Sequence, residues 1–135
     1  MKLTELKISE EQTHQAVCNY IKLKYPDVIF NTDLSGLRLT MPQSIKVKKL
    51  RSSNGFPDLV IYEARGGYYG LFLELKRPSE KLFCKDGKMR KNDHLQEQFE
   101  MHEKLRKRGY YCQFACGFEE TKLLIDNYLE YGLTQ

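Results

Sequence analysis

The chain has 135 residues, 41% of them hydrophobic, enough for one core of ordinary size and too few for two. Its 22 Lys and Arg against 18 Asp and Glu leave a formal charge of +4, which argues against a protein that coats nucleic acid over its whole surface and suits a local basic face. No stretch approaches the roughly 20 apolar residues of a membrane span, and the opening MKLTELKISEEQ lacks the apolar run of a secretory signal.

Cys18, Cys84, Cys112 and Cys116 lack the paired CxxC spacing of a zinc ribbon, so reduced thiols are expected. These features together predict a soluble, intracellular and cytoplasmic protein, with a single domain over residues 1–135 and no membrane partner.

From Glu10 to about Tyr25, Ala16, Val17, Tyr20, Ile21 and Leu23 recur at helical spacing, with Ser9 placed as an N-cap and Pro26 stopping the run. Val28, Ile29 and Phe30 read as a short buried strand. Asp33 to Asn54 carries Ser, Gly, Pro and many cations without a strong period, which predicts a loop holding a short basic helix. Pro57 to Tyr62 and Tyr69 to Leu75 are β-rich runs joined by Ala64, Arg65, Gly66 and Gly67, the chemistry of an antiparallel hairpin.

Residues 77 to 91 are polar. Helical spacing returns from Asp93 to Arg108 through Leu95, Phe99, His102 and Leu105, and Gly109 ends it. Tyr110 to Cys116 is strand-like, and Thr121 to Tyr131 places Leu123, Leu124, Tyr128 and Leu129 on a helical stripe. This order predicts an α/β fold, a mixed sheet of about four strands flanked by helices.

Side chains alternate across a strand, so in GLFLELKRP Phe72, Glu74 and Lys76 share one face and Leu71, Leu73 and Leu75 the other. A carboxylate and an ammonium on so apolar a strand are costly to bury unless paired or bound to a metal. Asp58 opens the neighbouring strand of the hairpin, where its carboxylate can converge with that of Glu74. Two hard oxygen ligands suit Mg²⁺ or Mn²⁺, which can polarise a phosphodiester and acidify a water, with Lys76 orienting that water or offsetting transition-state charge. Singly, each residue has a simpler explanation in turn chemistry or a solvated strand; jointly, on consecutive strands, they point to a phosphodiester-cleaving site.

These residues resemble the VRR-NUC nucleases of the PD-(D/E)xK superfamily, with Pro57 and Asp58 as the PD and Glu74, Leu75 and Lys76 as the ExK. The resemblance extends over nearly the whole chain, with Gly55 before the PD strand, Gln98 on the later helix, and Gly109 and Tyr110 at the following strand. It implies a restriction-endonuclease-like core, metal ligands at Asp58, Glu74 and Leu75, and a further carboxylate from the first helix. Glu11 is the best match for that carboxylate, with Glu10 left open. Either acid also has a purely structural reason to stand at a helix start, where it meets the positive end of the dipole. Gln98 matches a glutamine near the family's site. His14, His94 and His102 lack metal-ligand spacing, and His102 reads as a satisfied core histidine.

Lys46, Lys48, Lys49 and Arg51 precede the PD strand, and Arg77 follows Lys76, so cations flank the site as phosphate contacts would. A second run, Lys85, Lys88, Arg90 and Lys91, reads equally well as a solvated face. With no base-reading motif, recognition of DNA shape is expected over recognition of sequence. Stand-alone members of the family, typical of phages, resemble homodimers that cleave four-way Holliday junctions, which makes branched DNA the expected partner. The alternatives are a flap, end-processing or restriction-like nuclease, or an inactive DNA-binding module.

Overall fold

The computed structural model describes residues 9–34, 37–78 and 92–132, which form four strands and four helices. In chain order these are α1 (Glu10–Lys24), β1 (Phe30–Thr32), α2 (Met41–Lys49), β2 (Leu59–Ile61), β3 (Leu71–Lys76), α3 (Asp93–Lys107), β4 (Tyr111–Cys116) and α4 (Gly117–Tyr131). The basic run Lys85 to Lys91 and Cys84 lie outside the described residues.

The sheet runs β1-β2-β3-β4, antiparallel up to β3 and parallel between β3 and β4. The first three strands follow one another by reversal, whereas a parallel pair needs a long crossover, here the segment containing α3. The expected mixed sheet with flanking helices is therefore present, and β2 and β3 are the expected antiparallel neighbours.

Val17 and Ile21 of α1 and Ile125, Tyr128 and Leu129 of α4 cover one face, burying Leu59, Ile61, Leu71, Leu73, Leu75 and Ala115. On the opposite face α3 covers β4, the His102 and Phe114 rings lying tilted to each other with centres 4.4 Å apart. Strand β3, central and covered from both sides, is buried at every position but Phe72. That placement forces Glu74 and Lys76 away from water.

Local chemistry explains the element boundaries. Ser9 and Gln12 form a reciprocal capping box at α1, and Thr40 and Gln43 form another at α2. Strand β1 begins at Phe30 instead of Val28, because the Val28 N–H is spent on the Tyr25 carbonyl as the chain leaves α1. Helix α4 starts at Gly117, earlier than the expected Thr121. Gly117 turns directly out of β4 with φ +81, and the polar first turn with Glu119 and Glu120 carries no apolar stripe. None of the described helices is long and apolar enough to cross a membrane.

Candidate active site

The β2–β3 register pairs Leu59 with Leu73 and Val60 with Phe72, so one further step sets Asp58 opposite Glu74 on a common face. Asp58 Oδ2 accepts the backbone N–H of Leu75 at 2.9 Å, which fixes its carboxylate against β3. Asp58, Glu74 and Lys76 are only 8%, 3% and 6% exposed. Glu74 Oε1 is buried without a hydrogen-bond partner among the described residues.

Burial pushes the Glu74 carboxyl well above the ordinary carboxylate range; its hydrogen bond with Asp58 and the Asp58 charge push the same way, and Lys76 opposes them. Lys76 Nζ lies 6.0 Å from the Phe114 ring centre. A buried acid with an unsatisfied oxygen beside a second carboxylate is unfavourable for folding alone and receptive to a cation.

The three side chains open onto a cleft of about 500 Å³. Its other walls come from α2 and the following turn (Ser44, Val47, Lys48, Arg51, Asn54, Gly55, Phe56), from the N-terminus of α1 (Glu10), and from α3 (His94, Glu97, Gln98). Gly55 makes this closeness possible: its φ is +89, and a Cβ there would stand 2.5 Å from the Glu97 carbonyl oxygen. Only glycine lets the PD segment run against α3.

Gln98 is buried; its amide N–H donates to His94 Nε2 at 3.2 Å, leaving Oε1 without a partner among the described residues. Glu10 and Glu11 are both exposed, and of the two only Glu10 lines the cleft. Leu75 contributes its backbone to the site, its side chain being part of the core. Among the described residues no group of three or more His, Cys, Asp or Glu side chains stands close enough to hold a metal ion. The donors that are brought together, two carboxylates with one orphaned oxygen, fit a small hard divalent cation such as Mg²⁺ or Mn²⁺.

The basic residues divide into three groups. Lys46, Lys48 and Lys49 are exposed in the last turn of α2, where they also complement the helix dipole, and Lys48 faces the cleft. Arg51 lines the cleft too, but its guanidinium is held 2.7 Å from Asp33. Arg77 is exposed and stands 3.9 Å from Glu10, a loose pair between the end of β3 and the start of α1.

The sequence matches no family model and no curated protein. Among solved structures, one described as "VRR_NUC domain protein" superposes with a TM-score of 0.68 at 24% identity, over 93% of this chain and 91% of its own. The chain has the VRR-NUC fold. A second structure, described as "VRR_NUC domain", covers 90% of this chain and 99% of its own at 21% identity with a TM-score of 0.49. In this version of the VRR-NUC fold the acid pair sits where the central strands meet, under a wall made by α2.

Among the contributors to the cleft that the sequence did not assign to it are His94, Glu97 and Phe56. His94 stands four residues before Gln98 on α3, a spacing that puts both on one helix face, and that spacing was available from sequence. Glu97 and Phe56 gave no such signal, because their place in the wall follows from how α3 meets the PD segment. His102 is fully buried as expected, but neither ring nitrogen has a partner among the described residues, so the expected satisfied core histidine is corrected in that respect.

Proposed function

We propose that this protein is a metal-dependent nuclease that hydrolyses phosphodiester bonds in DNA, with Asp58, Glu74 and Lys76 as its catalytic centre. The observation carrying this reading is the orphaned Glu74 oxygen, buried beside Asp58 in a cleft whose walls include Lys48 and Arg51. Asp58 and Glu74 would hold Mg²⁺ or Mn²⁺, with the Leu75 backbone and a carboxylate from α1 completing the set. Glu10 is the better placed of the two helix acids, since it lines the cleft and Glu11 does not. Such an ion supplies Lewis acidity and a more acidic water.

The chain's own groups supply the rest. Lys76, on the same face as Glu74, places an ammonium where negative charge builds on the phosphoryl oxygens. Gln98 and His94, linked at 3.2 Å, form a polar wall that can orient a nucleotide or water. Lys46, Lys48, Lys49, Arg51 and Arg77 would neutralise phosphates on the approaching duplex, and Arg51 would have to leave or share Asp33 to do so.

The substrate favoured here is branched DNA, four-way junctions above all, cut by a homodimer whose two sites face two strands. It rests on the resemblance of the PD and ExK motifs to those of the family's stand-alone members. A panel of linear, flapped and four-way DNA tests it. Nicking that requires Mg²⁺ or Mn²⁺ and disappears in folded Lys76→Ala and Glu74→Ala proteins is the expected result. Salt-dependent binding indifferent to metal and to Lys76, with no cutting, would mark a DNA-binding module instead.

A further inference from the structure

On the face that carries the acids, the sheet does not end at the cleft. The ladder pairs Asn31 with Val60 and Val60 with Phe72, one level beyond Asp58 and Glu74. At the next level the Tyr62 N–H donates to the Ile29 carbonyl at 2.9 Å, which extends the same register. Side chains at 58, 60 and 62 therefore point the same way, and Tyr62 lies roughly 13 Å along the strand from Asp58.

Above these levels is a second hollow, of about 340 Å³, whose lining includes Asn31, Leu34, Phe56, Val60, Tyr62 and Phe72. Helix α3 covers β4 and does not enter the lining, and Tyr62 is 55% exposed. Phe56 lines both hollows, so the second adjoins the catalytic cleft across that ring. Phe72 is held in place edge-on to Tyr110, ring centres 4.9 Å apart.

We propose that this hollow is a subsite for an unpaired nucleobase of the strand whose phosphate enters the cleft; the proposal deepens the nuclease reading and rests on it. Its size is at the low end of small-molecule sites, which suits one nucleoside. Aromatic rings give a base a stacking surface that tolerates any sequence. Asn31, on the same face, offers an amide that both donates and accepts to a base edge. Its place beside the cleft, across Phe56 and on the sheet face that carries the acids, is what favours a nucleic-acid strand over a protein partner. The substrates implied are junctions and flaps with unstacked nucleotides at the branch, in preference to uninterrupted duplex.

The test is fluorescence-anisotropy binding, in EDTA, of an oligothymidylate and of an abasic strand of the same length to wild-type protein and to Tyr62→Ala and Tyr62→Phe variants. The expected result is about tenfold tighter binding of the base-bearing strand by wild type, lost in Tyr62→Ala and regained in Tyr62→Phe. Equal binding of both strands by wild type, or a preference that survives Tyr62→Ala, overturns the subsite. So does a Tyr62→Ala protein that differs only in sedimenting at a lower mass, because the face would then be covered by a second copy. Parallel cleavage assays with Mn²⁺ separate the two claims. Cutting without base preference leaves the nuclease and removes the subsite; base preference without cutting overturns the nuclease reading, and with it the hollow's role as a subsite of a cleavage site.

Discussion

Glu74 pairs poorly with its surroundings because of its position: it is central in the sheet, beside a second acid, with one oxygen unmatched among the described residues. An unsatisfied buried polar group costs about 1–3 kcal/mol. Burial also penalises the ionised form, so where the carboxyl is ionised a neutral amide in its place should stabilise the metal-free protein, even as it removes the proposed function. At a pH high enough to ionise the carboxyl, Glu74→Gln is expected to raise the melting temperature in EDTA by several degrees, and an unchanged or lower value there would argue that the carboxylate is well accommodated as it stands. His102 gives a second, independent prediction. Burial, reinforced by the positive charges of Arg106 and Lys76, holds its pKa down to about 4 from an ordinary 6.5. The unfolded chain thus takes up a proton between those values that the native state refuses. Stability from this group is complete above pH 6.5 and drains away as pH falls towards 4, by about 3 kcal/mol. Denaturant titrations from pH 7 to 4 should show that loss in wild type and a flatter profile in His102→Leu.

At the scale of elements, the site depends on how closely α3 approaches the segment before β2, and Gly55 sets that distance. Gly55→Ala adds a Cβ 2.5 Å from the Glu97 carbonyl oxygen at a backbone φ of +89. It is expected to cost about 1–3 kcal/mol of stability and to lower cleavage more than a surface substitution does, measured by urea unfolding and by rate. The same junction shows what was legible in sequence. The PD and ExK residues could be read because strand alternation fixes the side each one faces, and the capped, periodic helices α1 and α3 could be read from their patterns. The start of α4 could not, because its first turn is polar and its helical geometry is set by Gly117. Nor could the choice between Glu10 and Glu11, adjacent residues whose faces on the cleft depend on how α1 is rotated against the sheet. The ion pair of Arg51 with Asp33 was equally hidden, since it joins the turn after α2 to the end of β1 across long sequence separation.

At the scale of the whole molecule, a net charge of +4 is spread so that the exposed cations of α2 stand at the edge of the acid-floored cleft. Replacing Lys46, Lys48 and Lys49 together by alanine should weaken DNA binding across all sequences. It should also reduce the slope of log affinity against log salt, by about 0.9 for each phosphate of duplex DNA that these lysines neutralise in the wild type. An unchanged slope would place the DNA elsewhere. The claim on which everything else depends is that the buried acids exist to hold a cation. Calorimetric titration of the metal-free protein with Mn²⁺ tests this most directly. Saturable binding in wild type that is abolished in both Asp58→Asn and Glu74→Gln is the predicted result; no binding by wild type, or binding that both variants retain, would contradict it.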